Sequence, residues 1–108
     1  MPSTTIARGN ALSTFYISPS LTPAQVAAST TATQTFTVPG LLTTDYIQSG
    51  GYIANQTVGI FIAECDCLTN NILTIQFGNV TASPATPASG VYEFQIVRFE
   101  GPTPTTAV

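Results

Sequence analysis

The chain predicts an all-β fold: one antiparallel β-sandwich or jelly-roll domain, with an extended segment at either end. Three observations lead there. Apolar and polar residues alternate with a period of two through several separate runs, which is the repeat of a half-buried strand. Turn signals punctuate those runs: Pro39-Gly40, Gly50-Gly51, Asn70-Asn71 and the stretch 82–90, ASPATPASG. Roughly a sixth of the residues are threonine, whose branched Cβ suits a pleated surface. A length of 108 residues allows one domain and one core. No internal repeat is visible, and an open barrel is the alternative architecture.

Residues 57–81 are the clearest unit. Phe61, Ala63, Cys65 and Cys67 should share one face of a strand, with Ile62, Glu64 and Asp66 on the other. Leu73, Ile75 and Phe77 should face opposite to Thr74 and Gln76 in a second strand. Asn tolerates positive φ, so Thr69-Asn70-Asn71 supplies a hairpin turn between them. Gly78-Asn79 follows as a bulge or exit turn.

The remaining elements fall in order around this hairpin. Residues 1–10 read as an extended arm carrying one basic residue, Arg8. Residues 11–18, ALSTFYIS, form a strand with Phe15 and Ile17 on one face. Thr22-Pro23-Ala24-Gln25 has the form of a capping box with proline at the first helical position, so a helix of one or two turns is expected over 23–28. Residues 29–38 alternate again, Ala32, Gln34, Phe36 and Val38 against Thr31, Thr33, Thr35 and Thr37. One face of that strand is wholly hydroxylic. A short strand around Tyr46 and Ile47, a flexible turn at Ser49-Gly50-Gly51 and another short strand at 52–54 lead into the central hairpin. The last strand, 91–99, places Tyr92, Phe94 and Ile96 inward and Glu93 and Gln95 outward. Two prolines make 101–108, GPTPTTAV, an extended tail. The boundaries are therefore an arm at 1–10, a sandwich domain at 11–100 and a tail at 101–108.

Composition narrows the function. Charged residues make up 6% of the chain, against about 25% in an ordinary soluble domain. So sparse a charge invites association, because charge keeps surfaces apart. The net charge is −3, and the two arginines stand far apart, at 8 and 98. No basic cluster exists to release counterions from a nucleic acid, so nucleic-acid binding is not expected. No apolar run approaches the ~20 residues of a membrane-spanning helix, so no membrane partner is expected. The opening MPSTTIARGN lacks an apolar signal region, which predicts synthesis in the cytosol.

The candidates for chemistry are few. Cys65 and Cys67 are the sole thiols; with no histidine to complete a four-ligand zinc site, they read as small apolar core residues. On a strand, i and i+2 lie about 6.5 Å apart, the limit for a disulfide. Without His or Lys, the usual bases for a Ser, Thr or Cys nucleophile are missing. Glu64, Asp66 and Glu93 could be offered as paired carboxylates of a glycosidase, but read better as outward strand positions. The chain is thus not expected to be an enzyme or to carry a metal or cofactor. Tyr16, Tyr46, Tyr52 and Tyr92 could stack sugars, and more commonly such residues are half-buried with a polar tip. Asn55-Gln56-Thr57 and Asn79-Val80-Thr81 match the N-glycosylation pattern and read as chance matches in a threonine-rich chain.

Several runs taken together resemble a known class: Thr35-Phe36-Thr37-Val38-Pro39-Gly40-Leu41, then Asp45, Gly59-Ile60 before a long strand, Leu73-Thr74-Ile75-Gln76-Phe77-Gly78-Asn79, Gly90-Val91-Tyr92, and a final strand ending in Val97-Arg98. Over about 34–99 this pattern resembles the capsid decoration, or cement, proteins of tailed bacteriophages. The resemblance implies a structural virion protein made in the host cytoplasm and placed on the outer surface of the capsid. It would bind the major capsid protein and stabilise contacts between its subunits. A homo-oligomer, dimer or trimer, is the expected state. The arm and tail would supply contacts through Thr4, Thr5, Ile6, Ala7, Arg8, Pro102, Thr103, Pro104 and Thr105. Two other classes stay open: a tail, fibre or pilus-like assembly subunit, and a small carbohydrate-binding β-sandwich module.

Overall fold

The computed structural model describes residues 11–101. Seven strands follow one another: β1 (Ala11–Ile17), β2 (Ser20–Leu21), β3 (Thr30–Thr37), β4 (Tyr46–Tyr52), β5 (Ile60–Thr69), β6 (Ile72–Asn79) and β7 (Gly90–Phe99). They make two antiparallel sheets. In the first, β7 is central, with β4 on one side and β1 and then β2 on the other. In the second, β6 is central between β3 and β5. Pro19 interrupts the β1–β2 edge, as a residue without an N–H must. Its carbonyl still accepts the Tyr92 N–H at 2.9 Å, so β7 stays paired across the gap.

The sheets meet in a sandwich-like arrangement over one core. Leu73, Ile75 and Phe77 from β6 and Tyr92, Phe94 and Ile96 from β7 are all buried there. The Phe77 and Tyr92 rings meet edge to face between the sheets with centroids 6.2 Å apart, and Tyr92 stacks on Phe94. Each such side chain contributes about 1.5–3 kcal/mol by leaving water. These are the inward residues expected from alternation. The β3 alternation also holds, with its four odd-numbered threonines exposed and Ala32, Gln34 and Phe36 half-buried. The hairpin turn is the two-residue Asn70-Asn71, with Asn71 at φ 70°.

Four expectations fail, each for a local reason. The first concerns β5. Ile62 pairs with Phe77 and Glu64 with Gln76, leaving Ala63 unopposed in a bulge. An extra residue exchanges the faces of everything beyond it. The inward set is therefore Ile60 and Ile62, then Cys65 and Cys67, while Phe61 and Ala63 are exposed. Phe61 lies over Gly78, where any Cβ would collide with its ring. The second is the bulge at Gly78, which is paired β6 backbone; the exit turn is there, with Asn79 ending β6 and its Oδ1 accepting the Thr81 N–H at 2.9 Å.

The third is the turn at Ser49-Gly50-Gly51, which is paired strand within β4, just beyond a bulge. Gly50 is there because a Cβ would run into the Phe94 ring and stand 2.6 Å from the Glu93 carbonyl oxygen. Of residues 52–54, only Tyr52 is in a strand, as the end of β4. The fourth is the helix over 23–28, absent because its backbone groups are taken elsewhere. The Gln34 side chain accepts from the Ala24 N–H at 2.7 Å and donates to the Ala24 carbonyl at 2.9 Å. Val26 exchanges both of its backbone bonds with Ala85.

Candidate functional site

The outer face of the four-stranded sheet carries exposed apolar and aromatic side chains. Because Phe15 and Ile17 pack against the core, Tyr16 must point away from it. Ile47 is buried, so Tyr46 points the same way as Tyr16. Register then aligns the outer residues in rows. Thr14 and Tyr46 flank Val97, and Tyr16 pairs with Gln95. Tyr16 is 71% exposed and Tyr46 56%. Leu12, in the bulge near the start of β1, extends the surface at 63%. A shallow groove is lined by Tyr16, Gly50, Glu93, Phe94 and Gln95. Glu93 is the one charge on these rows, and its carboxylate accepts from the Ser18 hydroxyl at 3.3 Å.

An ion pair beneath this face fixes its geometry. Arg98 donates from Nε to Asp45 Oδ1 at 2.9 Å and from Nη2 to Asp45 Oδ2 at 2.7 Å. Nη2 also reaches the Gly40 carbonyl at 2.9 Å, and the Leu42 N–H donates to Asp45 Oδ2. The guanidinium lies 5.1 Å from the Phe15 ring centroid. The Arg98 hydrogen bond holds the Asp45 carboxyl below the usual carboxylate range, against the opposing effect of burial. Asp45 directly precedes Tyr46, and Arg98 directly follows Val97. The pair thus ties the start of β4 to the end of β7 where those two residues meet on the outer face.

A second polar feature lies on the outer face of the other sheet. Glu64 and Asp66 line a pocket with Thr33, Leu68, Thr74 and Gln76. Interaction with the neighbouring Asp66 carboxyl, by hydrogen bonding and then by charge, pushes Glu64 above its ordinary value. Asp66 Oδ1 is covered and has no partner among the described residues. Glu93 stands on the opposite side of the sandwich, so the three acids do not enclose a cleft as a glycosidase needs. Cys65 and Cys67 are free thiols facing the core. Burial pushes the Cys65 thiol up, and the charges of Asp66 and Glu64 add to it, so its reactive thiolate is disfavoured. Among the described residues no three His, Cys, Asp or Glu side chains converge.

The aromatic expectations sort by burial. Tyr92 is wholly buried, with its hydroxyl donating to the Ala88 carbonyl and accepting from Gln56 Nε2. Tyr52 packs on Tyr92 at 5.2 Å between centroids. Only Tyr16 and Tyr46 are open platforms. Asn79 is 2% exposed and donates to the carbonyls of Val26, Ala27 and Ser83, so it is no glycan acceptor as folded, while Asn55 is exposed. The expected contact residues Thr4, Thr5, Ile6, Ala7, Arg8, Pro102, Thr103, Pro104 and Thr105 lie outside the described residues. The Tyr16–Val97–Tyr46 surface was not singled out from sequence, although the inward assignment of Phe15 and Ile17 already implies an outward Tyr16. Compared with protein-family models, curated proteins and solved structures, the chain shows no match.

Proposed function

We propose that the protein is a structural subunit of a phage head: a decoration or cement protein that binds the major capsid protein on the outer surface of the capsid. The observation that carries this reading is the outer face of the four-stranded sheet, where Leu12, Tyr16, Tyr46 and Val97 share a surface with, among the described residues, one acid and no base. Exposed aromatic and aliphatic side chains on a rigid sheet suit burial against a partner. The mechanism is passive: area is removed from water at each site, and many copies on a lattice add through multivalency. The arm and tail, through the residues named above, are further contacts in this reading.

The finer fold assignment belongs here too. The strand order β1/β2–β7–β4 and β3–β6–β5 is what remains of an eight-stranded jelly roll when its fifth and sixth strands are removed. A tight hairpin then joins β5 to β6. We read the domain as that reduced jelly roll.

Cosedimentation with phage heads lacking the protein tests the function. Saturable binding at a fixed ratio to the major capsid protein is expected, weakened at least tenfold by Tyr16→Ala with Tyr46→Ala and by deletion of residues 1–10. Absence of saturable binding refutes the proposal. The groove beside Tyr16, Glu93 and Gln95 favours one other reading, a carbohydrate-binding module. Glycan binding lost on Tyr16→Ala, with no head binding, would select it. Filaments of the free protein would select a tail or fibre subunit.

A further inference from the structure

We infer that the open edge of β3 is a self-association site, pairing antiparallel with β3 of a second copy about a twofold axis through Gln34. The inference is independent of the capsid reading, since it uses the opposite sheet and leaves the Tyr16–Tyr46 face free.

An edge strand exposes a row of unpaired N–H and C=O groups, and proteins protect such edges with bulges, prolines, charges or interruptions. Three of the four edges here are protected. β5 carries two bulges and the acids Glu64 and Asp66. The β1–β2 edge carries a bulge and is cut by Pro19. β4 carries a bulge between Ile47 and Ser49. β3 has none of these. Its eight residues pair with β6 without a register shift, from Thr30↔Asn79 to Thr37↔Ile72. The sequence is TTATQTFT, and no charged residue occurs between Arg8 and Asp45. Among the described residues no strand pairs with its outer side.

The register of a second copy follows from the hydrogen bonds. The Val38 N–H donates to the Asn71 carbonyl at 2.7 Å, one step beyond the Thr37↔Ile72 pair and in the same register. Hydrogen-bonded pairs alternate along an antiparallel ladder. The even-numbered residues therefore direct their backbone groups to β6. Thr31, Thr33, Thr35 and Thr37 direct theirs to the open edge. A twofold axis through Gln34 sets Thr33 of one copy opposite Thr35 of the other, and Thr31 opposite Thr37. All four resulting pairs are then of the hydrogen-bonded kind, two bonds each. On the outer face every cross-strand neighbour is Thr against Thr, a pairing that stabilises sheets. On the inner face Ala32 meets Phe36, small against large.

The occupant is a second copy because this edge is self-complementary in shape and brings no like charges together. Pairing β5 with itself would instead bring Glu64 and Asp66 of two copies together. The product is one continuous six-stranded sheet, β5-β6-β3-β3-β6-β5.

Sedimentation equilibrium on the full chain tests this. The wild type should shift with concentration from the 11.3 kDa of one chain toward twice that mass, over about 5–500 µM for a contact at the small end of specific interfaces. Thr33→Pro removes an edge N–H but no bond to β6, and should raise the dimer dissociation constant at least tenfold. A charge exchange keeps the test independent of proline's effect on folding. The exposed pair Thr33→Lys with Thr35→Lys should be monomeric, as should Thr33→Glu with Thr35→Glu. Mixing the two should restore the dimer, because position 33 of one copy then faces an opposite charge at 35 of the other. A wild type that stays at one chain mass throughout overturns the inference. So does self-association that these variants leave unchanged, or a mixture that stays monomeric.

Discussion

Replacing Arg98 with Ala should destabilise the domain by about 2–3 kcal/mol at neutral pH. Breaking a buried pair by removing one partner costs about 3–5 kcal/mol, because the other charge is left covered and uncompensated. Here the Asp45 side chain is fully covered while Arg98 keeps 31% of its surface, so solvent screening lowers the figure. The Leu42 N–H would remain on Asp45 Oδ2, but both charge-assisted bonds from the guanidinium, the Gly40 bond and the Phe15 contact would go. In a domain of this size the melting temperature should fall by about 10 °C. The pH dependence identifies the cause. Asp45 has a folded pKa below its unfolded one, so its stabilisation is present above the unfolded value, near 3.9, and is lost as pH falls through the folded value. The wild type should therefore converge on the variant in acid. Urea unfolding of both proteins from pH 7 to pH 2.5 reads this directly. A gap below about 0.5 kcal/mol, the size of an ordinary surface substitution, or one that stays constant with pH, would refute the reasoning.

Two further outcomes follow from the packing and charges of the sheets. Gly50→Ala should cost about 1–3 kcal/mol in denaturant unfolding, because the new methyl must displace the Phe94 ring; unchanged stability would mean that β4 moves freely against β7. Glu64→Gln should raise the melting temperature at pH 7 and give no advantage at pH 4. Asp66 raises the folded pKa of Glu64, so the native carboxyl loses stability as pH rises from the unfolded value through the folded one. Equal melting temperatures at pH 7 would show that the two carboxyls do not interact.

Much of the fold was legible because a strand's period is local. Leu73, Ile75, Phe77, Tyr92, Phe94 and Ile96 were assigned inward from alternation alone, and all are buried. Asn71 was readable as a turn residue because its tolerance of positive φ is its own property. The absence of charge between Arg8 and Asp45, which leaves β3 undefended, is likewise a fact of sequence. What alternation could not locate was any place where the partner strand decides. The bulge at Ala63 exists only because Ile62 and Glu64 pair with consecutive residues of β6, and it exchanged Phe61 for Ile62 in the core. Gly50-Gly51 looks like a turn until Phe94 is set beneath it. The Thr22–Gln25 capping box gave way to the amide of Gln34, which holds Ala24 from ten residues away. Asp45 and Arg98 are 53 positions apart, and no local pattern pairs them. The sequence by itself thus determined which residues seek burial and where the chain can turn. Only tertiary structure decided which strands are edges, which of those is open, and which exposed aromatics share a face, because each depends on contacts between residues that are distant along the chain.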